Sequence, residues 1–166
     1  MDFLLPKCAT DCGINEKFWL LDDVSAQAPA YVAFQARSDA IAEVQNPQRR
    51  HVTFRAIDQC VEIVNENQRE VTRCDCMLQY DEVYHFIELK ARKRGRWQAK
   101  GFEQLRATVL LFLQSHPDVR PKAIRAQLCN CVKPSVNTMR SEQLKRFKSE
   151  AGILPSQVFM SPQVII

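Results

Sequence analysis

The chain has 166 residues, 46% of them hydrophobic and 25% charged, a balance that allows one domain with a sizeable core and excludes wholesale disorder. Its net charge of +4 permits a nucleic-acid partner without requiring one. No apolar run is long enough to span a membrane, and Met1-Asp2-Phe3-Leu4-Leu5-Pro6 lacks the basic start of a signal peptide, so a cytoplasmic protein without a membrane partner is expected.

Residues 1–28 read as irregular, with Pro6 and Gly13 as punctuation and Phe18-Trp19-Leu20-Leu21 anchoring the segment on the core. From Pro29 to Val44, the residues Tyr31, Phe34, Ile41 and Val44 recur at three- and seven-residue steps, which predicts a helix. Asn46 to Arg50 is a polar turn. His51–Ile57 and Cys60–Val64 read as strands, and Asn65–Gln68 as a loop into two further strands, Val71–Leu78 and Val83–Lys90, with Gln79–Glu82 as the turn between them. These segments predict an antiparallel meander. Five basic residues follow, Arg92, Lys93, Arg94, Arg96 and Lys100, with no acid between Glu88 and Glu103. Phe102, Leu105, Val109 and Phe112 then recur at helical steps, and His116-Pro117 ends that helix. Ala123–Val132 is the next strand, so strand, helix and strand fit a crossover in a mixed sheet. Ser141 reads as the N-cap of a charged helix, Glu142–Glu150, stopped by Gly152. The apolar ends Val158–Met160 and Val164–Ile166 suit a closing strand or a partner interface. The expected architecture is a single α/β domain over residues 1–166, with a central mixed sheet flanked by helices.

The hairpin carries the chemistry. Side chains alternate along a strand, so Cys74, Cys76 and Leu78 are expected on one face and Asp75 on the other. Ile87 and Leu89 take the core face of the second strand, while Glu88 and Lys90 project together. Pairing of the two strands brings Asp75 close to opposite Glu88. Two carboxylates so placed repel unless a cation or a proton sits between them, which points to a metal.

Asp75, twelve intervening residues and Glu88-Leu89-Lys90 resemble the core motif of the PD-(D/E)xK nuclease-like superfamily, which includes restriction endonucleases, resolvases and repair nucleases. The resemblance covers roughly residues 50 to 131 and implies a restriction-endonuclease-like fold. It also implies metal-dependent hydrolysis of nucleic-acid phosphodiester bonds, with DNA as the first substrate class. By that resemblance Asp75, Glu88 and the main-chain carbonyl of Leu89 hold Mg²⁺ or Mn²⁺, and Lys90 positions or activates the attacking water. Mg²⁺ is a hard ion that takes such oxygens. Gln104 resembles the glutamine on the equivalent helix of some branches, although Thr108 stands where those branches have Tyr. Cys74 likewise replaces the proline that often precedes the aspartate. A first helix often adds an acid to the metal site, for which Glu43 is the candidate; Asp58 and Glu62 are further acids without the spacing to claim a place.

The basic run Arg92, Lys93, Arg94, Arg96 and Lys100 is suited to phosphate backbones. Trp97 within it either stacks on a base or leads the helix into the core. Two other functions compete with the nuclease. One is a non-catalytic relative of the same fold that binds nucleic acid or a protein partner. The other is a cysteine-based metal or redox protein, since the chain has seven cysteines. The C-x-C pairs Cys74/Cys76 and Cys129/Cys131 fall in predicted strands, where core packing is the better account. By family analogy a small domain of this kind acts as a homodimer or within a larger repair or defence assembly.

Overall fold

In the computed structural model, which describes residues 2–23, 26–62, 71–91, 95–132 and 141–166, every side chain from His85 to Leu89 is buried. A strand with no solvent face must be covered on both sides, and the layering of the molecule follows from this. The elements in chain order are β1 (Ala9–Gly13), β2 (Lys17–Leu21), β3 (Tyr31–Ala33), β4 (Ala42–Gln45), β5 (Val52–Ala56), β6 (Cys76–Tyr80), β7 (Val83–Lys90), α1 (Trp97–Ser115), β8 (Ile124–Asn130), α2 (Ser141–Ala151), β9 (Val158–Met160) and β10 (Gln163–Ile165). The central sheet has six strands in the order β1-β5-β6-β7-β8-β9. Its first four are antiparallel neighbours, and β8 and β9 are added in parallel. The fold is thus α/β with a central mixed sheet flanked by helices. One face packs against α1 and α2 through Met77, Phe86, Ala126, Leu128, Leu105, Phe112 and Phe147. The other face packs through Phe54, Cys76, Leu78, Ile87 and Leu89 against a second, four-stranded sheet of order β10-β4-β2-β3.

The meander, the crossover and both C-terminal helices follow the expected pattern. The N-terminal half does not. Residues 1–28 include β1 and β2 rather than an irregular segment, and the stretch from Pro29 to Val44 forms β3 and β4 rather than a helix. Of the four residues at helical steps, Tyr31 and Phe34 are 40% and 48% exposed, and only Ile41 and Val44 are buried. Ala42 and Val44 turn inward as a strand pair in β4, so the helical spacing was a coincidence of two exposed and two buried residues. The expected strand at Cys60 is a turn through Asp58–Val61; Ile63 and Val64 lie outside the described residues. In the hairpin, β6 begins at Cys76 and runs on to Tyr80, so the turn is only Asp81-Glu82. Cys74, ahead of the strand, packs on the helix side, whereas Cys76 packs against the second sheet.

Cys60 is bonded to Cys8 as a disulfide. Cys12, Cys74, Cys76 and Cys129 are free and buried, as core packing requires, and Cys131 is free and exposed. Among the described residues no helix is long and apolar enough to cross a membrane.

α1 approaches the sheet at Gly101. A Cβ there would stand 2.6 Å from a terminal carbon of the fully buried Leu128 and 3.5 Å from Cγ of Glu88. Glycine is therefore the residue that lets the helix seat against β7 and β8. Gly101→Ala is expected to lower stability by roughly 1 kcal/mol net, because overpacking of about 1–3 kcal/mol outweighs a gain in helix propensity of about 1 kcal/mol. In a Leu128→Ala background the obstruction is gone, and the same change should stabilise by about 1 kcal/mol. A double-mutant cycle by urea denaturation reads the change of sign, and equal effects in both backgrounds would rule the contact out.

Candidate functional site

The last ladder pair of the hairpin is Cys76 with Ile87, so one step further sets Asp75 opposite Glu88. Glu88 shares the helix-side face of β7 with Phe86 and is 0% exposed, beneath Gly101 of α1. One carboxylate oxygen accepts the ammonium of Lys90, and the other, Oε2, has no hydrogen-bond partner. Asp75 is 6% exposed. Its Oδ2 accepts the Leu89 N–H at 2.5 Å, and its main-chain carbonyl accepts the N–H groups of Ile57 and Asp58 at 2.9 and 3.2 Å. Both acids and the lysine are thus held at the carboxyl end of β7. In open α/β sheets this is the end at which ligands bind where strand order switches.

A cleft of roughly 580 Å³ opens at this point. Asp75, Leu89, Lys90 and Ala91 form its floor, Lys100 and Gln104 come from α1, Asp58 and Gln59 from the turn after β5, and Asp22, Gln27 and Ile41 from the second sheet and its loops. Gln104 donates Nε2 to the carbonyl of Arg73 at 2.9 Å and leaves its buried Oε1 without a partner. Thr108, one turn further along α1, accepts the Cys74 N–H at 2.7 Å, so it fastens the segment before β6 rather than facing the cleft. Asp58 is held by the buried Arg73 at 2.7 Å.

Burial dominates the electrostatics. It pushes the Asp75 carboxyl up to about 7, against the opposing pull of Lys90 and the Leu89 N–H, with Asp22 and Asp58 adding to the rise. Glu88 is held well above the usual carboxylate range, first by burial and then by the charge of Asp75, and Lys90 counteracts both. Burial also raises half-buried Asp22; Lys90 draws it down and Asp58 raises it. Acids that cannot all ionise side by side retain protons until a cation replaces them. Among the described residues no three His, Cys, Asp or Glu side chains stand close enough, as placed, to hold an ion. Asp75 and Glu88 face each other, with the buried Glu88 Oε2 left without a hydrogen-bond partner. A hard divalent cation fits that donor set once the Lys90 ammonium leaves Glu88.

Asp75, Glu88, Leu89, Lys90, Lys100 and Gln104 are therefore brought together. Glu43 is not. It lies on β4, paired with Lys17 at 3.1 Å, because the segment that carries it is a strand of the other sheet. Glu62 does not line the cleft, and neither does Arg96, the exposed N-cap of α1. Trp97 is buried in the helix-side core, so it leads the helix inward and offers no stacking surface. Arg92, Lys93 and Arg94 lie outside the described residues. Asp22 was missed. It directly follows β2, and its only local signal is an acid at the end of the Phe18–Leu21 apolar run. Neither family models, curated proteins nor solved structures match this chain, so the site is read from its own geometry.

The raised Asp75 pKa has a signed consequence. Between the ordinary carboxylate value and about 7 the folded state holds a proton that the unfolded state has released, so folding stability falls as pH rises. Buried His85, lowered to about 3, works in the opposite sense below its ordinary value. The difference between wild type and Asp75→Asn cancels that contribution, and Asn retains an oxygen for the Leu89 N–H. In chelator, the stability advantage of Asp75→Asn should grow by about 1.4 kcal/mol per pH unit from pH 5 to 7 and then level off. Urea titrations across this range measure it; a pH-independent difference would mean that Asp75 titrates normally.

Proposed function

We propose that the cleft hydrolyses nucleic-acid phosphodiester bonds with a bound divalent metal ion, Mg²⁺ or Mn²⁺, in the manner implied by the resemblance to PD-(D/E)xK nucleases. The observation that carries the reading is the buried Asp75–Glu88 pair, with Lys90 against Glu88 and one Glu88 oxygen unpaired, where Asp75 and Lys90 line an open polar cleft. Asp75 and Glu88 would hold the ion, with Asp22 at the opposite wall as an added acid. The ion, when bound, polarises a phosphoryl oxygen and makes its water more acidic.

The chain's own groups do the rest. The Leu89 N–H fixes the orientation of Asp75. Once displaced from Glu88, the Lys90 ammonium is a mobile cation that steadies the attacking water or the charge growing on the phosphate. The free Oε1 of Gln104 accepts a hydrogen bond from that water and so orients it. Lys100, exposed at the mouth, meets a backbone phosphate, a contact that positions the strand without reading its sequence. So small a domain leaves sequence selection to a second copy or a larger assembly.

The test is cleavage of a panel of DNA and RNA substrates with Mg²⁺ or Mn²⁺ by wild type, Asp75→Asn and Lys90→Ala. Wild type should cut, with DNA preferred. Lys90→Ala should lose about 10²–10⁴-fold in rate while still binding Mn²⁺, and Asp75→Asn should lose both cleavage and Mn²⁺ binding. A wild-type protein that neither cuts nor binds either ion would sink the proposal.

A further inference from the structure

The turn after β5 carries two wall residues of the cleft, Asp58 and Gln59, and it is tied down from three directions. Ile57 and Asp58 donate their N–H groups to the Asp75 carbonyl. Arg73 donates to Asp58 Oδ1 at 2.7 Å and to the Val61 carbonyl at 3.3 Å. Cys60, at the back of the turn, is joined to Cys8. Cys8 in turn directly precedes Ala9 of β1, which pairs with Arg55 of β5. The first two ties bind the turn to the segment carrying Asp75. The disulfide binds it to the segment that leads into β1.

We infer that the Cys8–Cys60 disulfide is a positioning element of the cleft, holding Asp58 and Gln59 beside Asp75, and that its reduction by a thiol loosens this wall and weakens divalent-cation binding. The second half rests on the metal-dependent reading above; the first does not.

The chemistry selects this pair. Cys60 is half-buried, whereas Cys8 is buried, so Cys60 is the more exposed of the two and the side from which a reductant attacks. A dithiol thiolate attacks Cys60 Sγ and expels the Cys8 thiolate, which takes up a proton. The second thiol of the reductant then displaces Cys60 from the mixed disulfide, leaving two protein thiols and a cyclic oxidised reductant. Cys12, Cys74, Cys76 and Cys129 do not compete, because burial raises each thiol above its ordinary value and suppresses the thiolate. Cys131 is exposed and does not line the cleft, so Cys131→Ser is a suitable background.

The sulfurs close a sequence separation of 52 residues, and breaking the bond therefore lowers global stability as well. A local readout separates the two effects. In full-length Cys131→Ser protein, reduction with dithiothreitol should speed amide exchange of Ile57 and Asp58 at least about tenfold, with much smaller changes across β6 and β7. After removal of the dithiol under argon, the Mn²⁺ dissociation constant should be about five- to tenfold higher than in the oxidised protein. A Cys60→Ser variant should show the reduced values in both conditions. Unchanged exchange at Ile57 and Asp58, or a uniform rise across the hairpin, overturns the positioning role. Equal Mn²⁺ affinity in both states overturns the control of cation binding. A local exchange response with no Mn²⁺ bound in either state leaves the clamp standing and removes the hydrolytic reading instead.

Discussion

Asp75 and Glu88 face each other one step beyond the last ladder pair of a buried hairpin, and the Lys90 ammonium is the charge that makes this arrangement tolerable. Carboxylates removed from water are costly unless paired or protonated. Here burial raises both acids, and Lys90 opposes the rise in each. The surrounding structure enforces the conflict. β7 is covered on both faces, α1 presses onto Glu88 through the gap left by Gly101, and the Leu89 N–H keeps Asp75 turned toward the cleft. Sites that must bind a cation tightly often hold such unrelieved charge, because the same repulsion that weakens the empty fold favours the ion.

The two sheets have unequal parts in this. The six-stranded sheet supplies Glu88 and Lys90 from β7 and Asp75 from the residue just ahead of β6, where the N–H groups of Leu89, Ile57 and Asp58 hold it. The four-stranded sheet supplies Asp22 from the end of β2, and its position depends on how well the two sheets stack through Phe18, Leu20, Ile87 and Leu89. Stacking by apolar contact is less directional than a ladder.

What was legible in the sequence divides along the same line. The motif residues were readable because strand alternation and a short turn nearly determine which side chains meet across a hairpin. The actual turn was two residues shorter than expected, yet Asp75 still came to face Glu88. α1 and β8 were readable from apolar periodicity, and α2 from its capping serine and the glycine that stops it. β2, β3 and β4 were not, since strands of five, three and four residues hold too few alternations to outweigh an accidental helical spacing. Glu43 was misplaced for that reason and Asp22 overlooked for the same one.

The remaining gaps concern contacts distant in sequence, and no local pattern announces these. Cys60 has no neighbouring cysteine to mark it as bonded, and its partner lies 52 residues away; only the pairing of β1 with β5 brings the two together. Arg73 shows the same limit. In sequence it is one more basic residue before a strand, while in the fold it is buried, grips Asp58 and offers its carbonyl to Gln104. The meeting of Asp75 and Glu88 could thus be read from spacing alone, but the shell that orients them could not. That shell decides whether two acids at the end of a strand are an uncomfortable feature of a core or a site organised to take a cation.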